Sequence, residues 1–157
     1  MALRPERNEH LTDLSFFMNE AAERGGIVIL SSAGSGSAMD DANASVRLPV
    51  VDAPADLSGS PIGLLLNDVV NLDLTKQHIN YAKDEMQLGG KVLLLRRGTV
   101  TTDQVSGTPV GGSAAYYFGG GVIIGSDTSQ PITGAQVGQF LSSKDADGFC
   151  KVSIDIR

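Results

Sequence analysis

Four residues near one end of the chain, Asp145-Ala146-Asp147-Gly148, have the types a cation loop uses. Carboxylate oxygens are natural calcium ligands, and a glycine permits the sharp turn around the ion. The spacing is wrong for such a loop. Counted from Asp145, a helix–loop–helix calcium site wants glycine sixth and a carboxylate twelfth. Here Gly148 comes fourth and Ile156 twelfth. The stretch reads instead as a hairpin turn, because Asp147-Gly148 supplies the positive φ that tight hairpins need.

The other reactive residue types are scattered. His10 and His78 stand alone, with no second histidine at ligand spacing, so a histidine metal centre is not expected. Cys150 is the single cysteine, which excludes an internal disulfide and a thiolate cluster. Its place in an alternating apolar series suits a small core hydrophobe. Gly34-Ser35-Gly36 and Gly59-Ser60-Pro61 lack the GxSxG form of a nucleophile elbow. Gly89-Gly90-Lys91 lacks the upstream glycine and the following Ser or Thr of a phosphate loop. Gly119-Gly120-Gly121 joins apolar segments and reads as a bend or bulge. Asp40-Asp41 and Asp84-Glu85 fall in polar stretches, where solvated charge explains them without acid–base chemistry. The expectation is a protein that is not an enzyme, with no catalytic residue, metal or cofactor.

The totals narrow the class further. The chain has 157 residues, enough for one domain with a proper core. Its formal net charge of -6 argues against a general nucleic-acid binder and against docking on an anionic membrane. No apolar run approaches the ~20 residues a membrane helix needs. The start, MALRPERNEH, is polar and charged, unlike a secretory signal, so synthesis and use in a cytosol are expected. Nineteen glycines punctuating short Val, Ile and Leu runs suggest a turn-rich β protein.

Residues 1–25 differ from the rest of the chain. Leu11, Leu14, Phe17, Met18, Ala21 and Ala22 recur at three- and four-residue spacing, and Gly25-Gly26 comes next as a stop. That stripe predicts a helix over 12–24. The competing reading is an extended arm that orders only on a partner. Residues 26–157 form the β domain. Strands are expected at 27–30 (IVIL), 45–51 (ending near Pro49) and 62–74 with a kink at Asn67-Asp68. Others are expected along KVLLLRR after Gly89-Gly90, at 113–118, at 121–125, and at 135–143 and 149–156 around the Asp147-Gly148 turn. Residues 31–45 read as a long loop, and 75–86 as either a short helix or strand edges. In the final strand Cys150, Val152, Ile154 and Ile156 make one apolar face. The predicted fold is mainly β, a compact antiparallel sandwich or barrel with an N-terminal arm or short helix.

The order of segments is distinctive: AAERGGIVIL, VRLP, PIGLLLNDVV, LGGKVLLLRRGTV, AAYYF, GGGVIIG, then VGQFL and DADGFCKVSIDI. This series resembles the head decoration, or capsid cement, proteins of tailed bacteriophages. The resemblance covers most of residues 17–157 and departs in the 31–45 loop and the 75–86 segment. It implies a β-tulip-like fold and a non-enzymatic virion protein, made in the host cytoplasm. Such a protein binds the outside of the mature head and bridges major capsid protein subunits. The resemblance also implies self-association, with a trimer expected. On this reading Leu11, Leu14, Phe16, Phe17 and Met18 are the arm's apolar anchors for a partner. Two other readings compete. One is a tail- or fibre-associated β module. The other is a small ligand- or carbohydrate-binding β domain, for which Tyr116 and Phe118 are the only aromatic pair able to share a strand face.

Overall fold

The computed structural model describes residues 3–32, 44–50, 56, 59–68, 85–86, 88–126, 132 and 134–157. The chain is mainly β. Its strands are β1 (Asn8–Met18), β2 (Ala22–Glu23), β3 (Ile27–Ser32), β4 (Ser45–Arg47), β5 (Pro61–Asp68) and β6 (Glu85–Met86). Next come β7 (Lys91–Thr102), β8 (Val105–Ser106), β9 (Ala114–Tyr117), β10 (Ile123–Gly125), β11 (Gln136–Phe140) and β12 (Cys150–Asp155). A 3-10 turn, Gly119–Gly121, separates β9 from β10. Residues 33–43 and 69–84, which hold most of the long loop and of the 75–86 segment, lie outside the described residues.

Ten strands form one sheet in the order β1-β4-β3-β5-β7-β12-β11-β9-β10-β8, and β2 pairs separately with β6. Most pairings are antiparallel, as expected, and two, β1–β4 and β8–β10, are parallel. The longest strand, β7, is the hub. It pairs with β1 along nearly its whole length, with β5 through Val92–Leu95 and with β12 through Arg97–Thr102. Because β1 also pairs with β4, the strands β1, β4, β3, β5 and β7 close into a ring.

Two cores result from this arrangement. One fills the ring with Met18, Val28, Val46, Leu65, Val92 and Leu94, and each of the five ring strands contributes. The other lies on the opposite face of β3, β5 and β7, under β9 to β12, and holds Ile27, Leu64, Leu66, Leu95, Phe140 and Val152 among others. Consecutive residues such as Ile27, Val28 and Ile29, or Leu64, Leu65 and Leu66, therefore enter opposite cores. This is why their sequences are unbroken apolar runs rather than alternating ones. In β12, which has only one face on a core, Cys150, Val152, Ile154 and the adjoining Ile156 are buried as the alternation predicts.

The helix predicted over 12–24 does not form. The segment is β1 and β2 instead, and it is no free arm on this chain. Leu3 bridges Thr102 and is buried in the larger core, Asn8 to Phe17 pair with β7, and Met18 is buried in the ring. The missing strand alternation has a physical origin in bulges. Register shifts between Glu9 and Leu11, and between Asp13 and Phe16, insert extra residues into β1. A bulged strand loses its two-residue period, so β1 lacks the alternation that would have marked it as a strand. A similar shift at Val137 allows both Val137 and Phe140 to be buried, although they are three positions apart. In β5 the irregularity falls between Leu65 and Asn67, just before the expected kink.

Candidate functional site

The structure divides the five proposed anchors. Met18 is 1% exposed and belongs to the ring core, so it has no surface to offer a partner. Phe16 packs against the same core, and Phe17 is half-buried with the Lys91 ammonium 5.9 Å from its ring centre. Leu11 and Leu14 are exposed, at 53% and 45%. They stand on the part of β1 that β7 holds from one side only. Among the described residues, β4 covers the other edge only at Phe17 and Met18.

That edge carries its own guards. Asp13 Oδ1 accepts hydrogen bonds from the backbone N–H of Ser15 at 2.8 Å and from its hydroxyl at 2.5 Å. Arg7 forms an ion pair with Glu9. Side-chain capping, charge and bulges are the usual protection of an exposed strand against indiscriminate pairing. The exposed part of β1 thus carries features that oppose indiscriminate strand pairing.

The Asp145 turn is built for rigidity. Asp145 Oδ1 accepts the N–H groups of Asp147 at 3.0 Å and Phe149 at 2.8 Å, and Gly148 takes a φ of 87°. Asp145 Oδ2 lies 2.9 Å from the Arg4 guanidinium. The Phe149 N–H, and less strongly the Arg4 charge, hold the Asp145 carboxyl below its ordinary pKa, against the opposing effect of burial. Its oxygens are therefore engaged by the turn and by Arg4. Among the described residues no three His, Cys, Asp or Glu side chains converge as a metal site would require.

A second cluster was not legible in the sequence. Arg47 of β4 makes a two-pronged ion pair with Asp56, at 2.5 and 2.6 Å, and the Val50 N–H donates to Asp56 Oδ2 at 2.9 Å. The Tyr117 hydroxyl of β9 lies 2.8 Å from the Asp56 carbonyl and 2.7 Å from that of Gly59, and its one proton serves either. Arg47 and the Val50 N–H pull the Asp56 pKa down from 3.8 to about 2. Burial raises the Tyr117 pKa, and the Asp56 charge adds to it. The cluster clasps the β4–β5 connection onto β4 and β9 beside an open cleft of about 310 Å³ floored by Ile29, Leu30 and Ile62. Residues so far apart in the chain leave no local pattern to read. The clasp is a positioning device, with every charge neutralised within it.

Of the remaining candidates, Cys150 is buried, and loss of hydration raises its thiol pKa, so it is a core residue rather than a nucleophile. His10 is exposed on β1, and His78, Gly34-Ser35-Gly36, Asp40-Asp41 and Asp84 lie outside the described residues. Phe118 packs against the larger core, which removes it from a shared platform with Tyr116. No described helix is long and apolar enough to cross a membrane. No protein-family model and no curated protein matches this chain.

Proposed function

We propose that this chain is a virion structural protein, a decoration or cement protein that binds the outer surface of a mature tailed-phage head. It stabilises the head by bridging neighbouring major capsid protein subunits, and it acts as a homo-oligomer, a trimer on this reading. The segment order that resembles the decoration family supports the assignment. The observation that carries it is the one-sided pairing of β1 among the described residues, which presents Leu11 and Leu14 beside the open strand edge. A strand of a capsid subunit laid along that edge gains main-chain hydrogen bonds, and its apolar side chains gain the two leucines. The doubly cored body behind the edge supplies the stiffness that a cement needs.

The test is co-sedimentation with mature, undecorated heads. The wild-type chain is expected to saturate at a fixed ratio per capsid subunit. The double variant Leu11→Asp, Leu14→Asp is expected to remain folded and to lose attachment. Full binding by the folded variant removes the edge from the interface. Absence of wild-type binding moves the assignment to a tail or fibre component.

A further inference from the structure

The outer face of β9, β11, β12 and β7 bears a second feature that the β1 edge does not use. Cross-strand pairing aligns Ala114, Gln139, Ser153 and Thr99 in one row, which Asn8 of β1 extends. Residues directly opposite one another in antiparallel strands share a face. The row is therefore a continuous line of small or uncharged hydrogen-bonding side chains on a molecule whose net charge is -6. Over it lies an open groove of about 420 Å³, walled by Gln136, Gln139, Ser153 and Asp155 and floored by Gly138 and Ala114.

The floor is low for a structural reason. A side chain at Gly138 would place its Cβ 1.8 Å from the Ser153 carbonyl oxygen, so the backbones meet too closely for anything but glycine. The walls are held in place. Gln136 Nε2 donates to the Gly138 carbonyl at 3.2 Å, and Gln139 Nε2 donates to the Gly112 carbonyl at 2.8 Å. Those bonds fix both amide planes and leave each Oε1 as an acceptor. Ser153 adds a hydroxyl. Asp155 adds a carboxylate, which Arg97 and Arg157 flank loosely at 3.7 and 3.6 Å. Tyr116, directly opposite Gln136 and on the same strand face as Ala114, stands at one end.

We propose that this groove is a binding site for a neutral polyhydroxylated chain, a short stretch of uncharged glycan. Sugar hydroxyls both donate and accept, and fixed amides, a hydroxyl and a carboxylate answer them in either sense. Tyr116, paired across the strands with the groove residue Gln136, is the aromatic side chain nearest in register to the groove. The volume falls within the ~300–1,000 Å³ of small-molecule sites. The amides and hydroxyl that line most of the groove carry no charge, and an apolar peptide would leave them unpaired.

The experiment is an amide NMR titration of the full chain with maltohexaose, cellohexaose and chitohexaose, and with a heparin hexasaccharide. At least one neutral sugar is expected to give saturable shifts confined to residues 136–139, 153–155 and 114–116. Gln139→Ala with Ser153→Ala is expected to weaken that affinity at least tenfold, while Lys151→Ala, on the same strand, leaves it unchanged. Silence with all three neutral sugars overturns the proposal. So do binding of heparin alone and shifts that survive the double variant. Capsid attachment is read separately, so this site and the β1 edge stand or fall independently.

Discussion

The guanidinium carbon of Arg4 sits 4.3 Å from the ring centre of Phe149, while the same group reaches Asp145 and Asp147 at 2.9 and 3.1 Å. A residue at the start of the chain thereby pins the hairpin at its end. Leu3, beside it, is buried in the larger core and bridges Thr102. The N-terminal segment is a strap fastened at Leu3 and Arg4, zipped along β7, and fastened again at Met18. Arg4→Ala is expected to lower stability by about 0.5–1 kcal/mol, the worth of an exposed cation–π contact. Denaturant unfolding measures it, and an unchanged midpoint makes the contact incidental.

The two ends of β1 differ in what they bury, so their substitutions should differ too. Met18→Ala empties part of the ring core and is expected to cost about 2–5 kcal/mol. Leu14→Ala, at a 45% exposed position, should stay within about 0.5 kcal/mol. Removing residues 1–18 altogether takes β1 from the ring and uncovers Val46, Val92 and Leu94. That truncation is expected to lose cooperative unfolding, which is why point variants are the sound probe of the interface. Calorimetry of the three proteins checks the ordering.

Gly98 and Gly138 are among the glycines where backbones touch. At Gly98 an added Cβ would lie 2.1 Å from the Asn8 carbonyl oxygen, and at Gly138 it would lie 1.8 Å from that of Ser153. Neither neighbour is a flexible side chain that can step aside. Gly98→Ala is expected to pry β1 from β7, and Gly138→Ala to pry β11 from β12, each at about 3 kcal/mol or more. Hydrogen exchange should localise the damage, with faster exchange in β1 for the first and in β11 and β12 for the second.

The Arg47–Asp56 clasp gives an acid signature. The Asp56 pKa is depressed in the folded state, from 3.8 to about 2. Its stabilisation is therefore fully present above the unfolded value and is lost as the pH falls toward about 2. Asp56→Asn should show a lower melting temperature than wild type at neutral pH, with the gap closing as the pH drops from 4 to 2. A gap that is constant with pH would mean that the ion pair is not the source.

Tyr117 belongs to the same clasp but acts through a neutral bond. Tyr117→Phe keeps the ring in the core and removes the proton that serves the Asp56 and Gly59 carbonyls. The expected cost is about 1–3 kcal/mol, because buried carbonyls are left without that donor. The loss should show no dependence on pH between 4 and 8, which separates it from the Asp56 effect.

By itself the sequence determined the strands with two buried faces, the turns and the final hairpin. Ile27–Ile29, Leu64–Leu66 and Val92–Leu95 are apolar without interruption, and a strand between two cores has a use for that. Asp147-Gly148 and the alternation from Cys150 to Ile156 likewise carry their reasons locally, in glycine's freedom and in the two-residue period. The tertiary structure alone decided the fate of residues 8–18. Their spacing satisfies a helix, but the backbone groups of β7 needed a partner along its second edge, and pairing with them overrode local periodicity at the cost of bulges. The clasp was hidden because Tyr117 meets Asp56 and Gly59 only across a long stretch of chain, and the groove was hidden because β9 with Ala114 had to be brought beside the final hairpin. Of the apolar residues that local reading grouped as anchors, burial took Met18 for the core and left Leu11 and Leu14 on the surface.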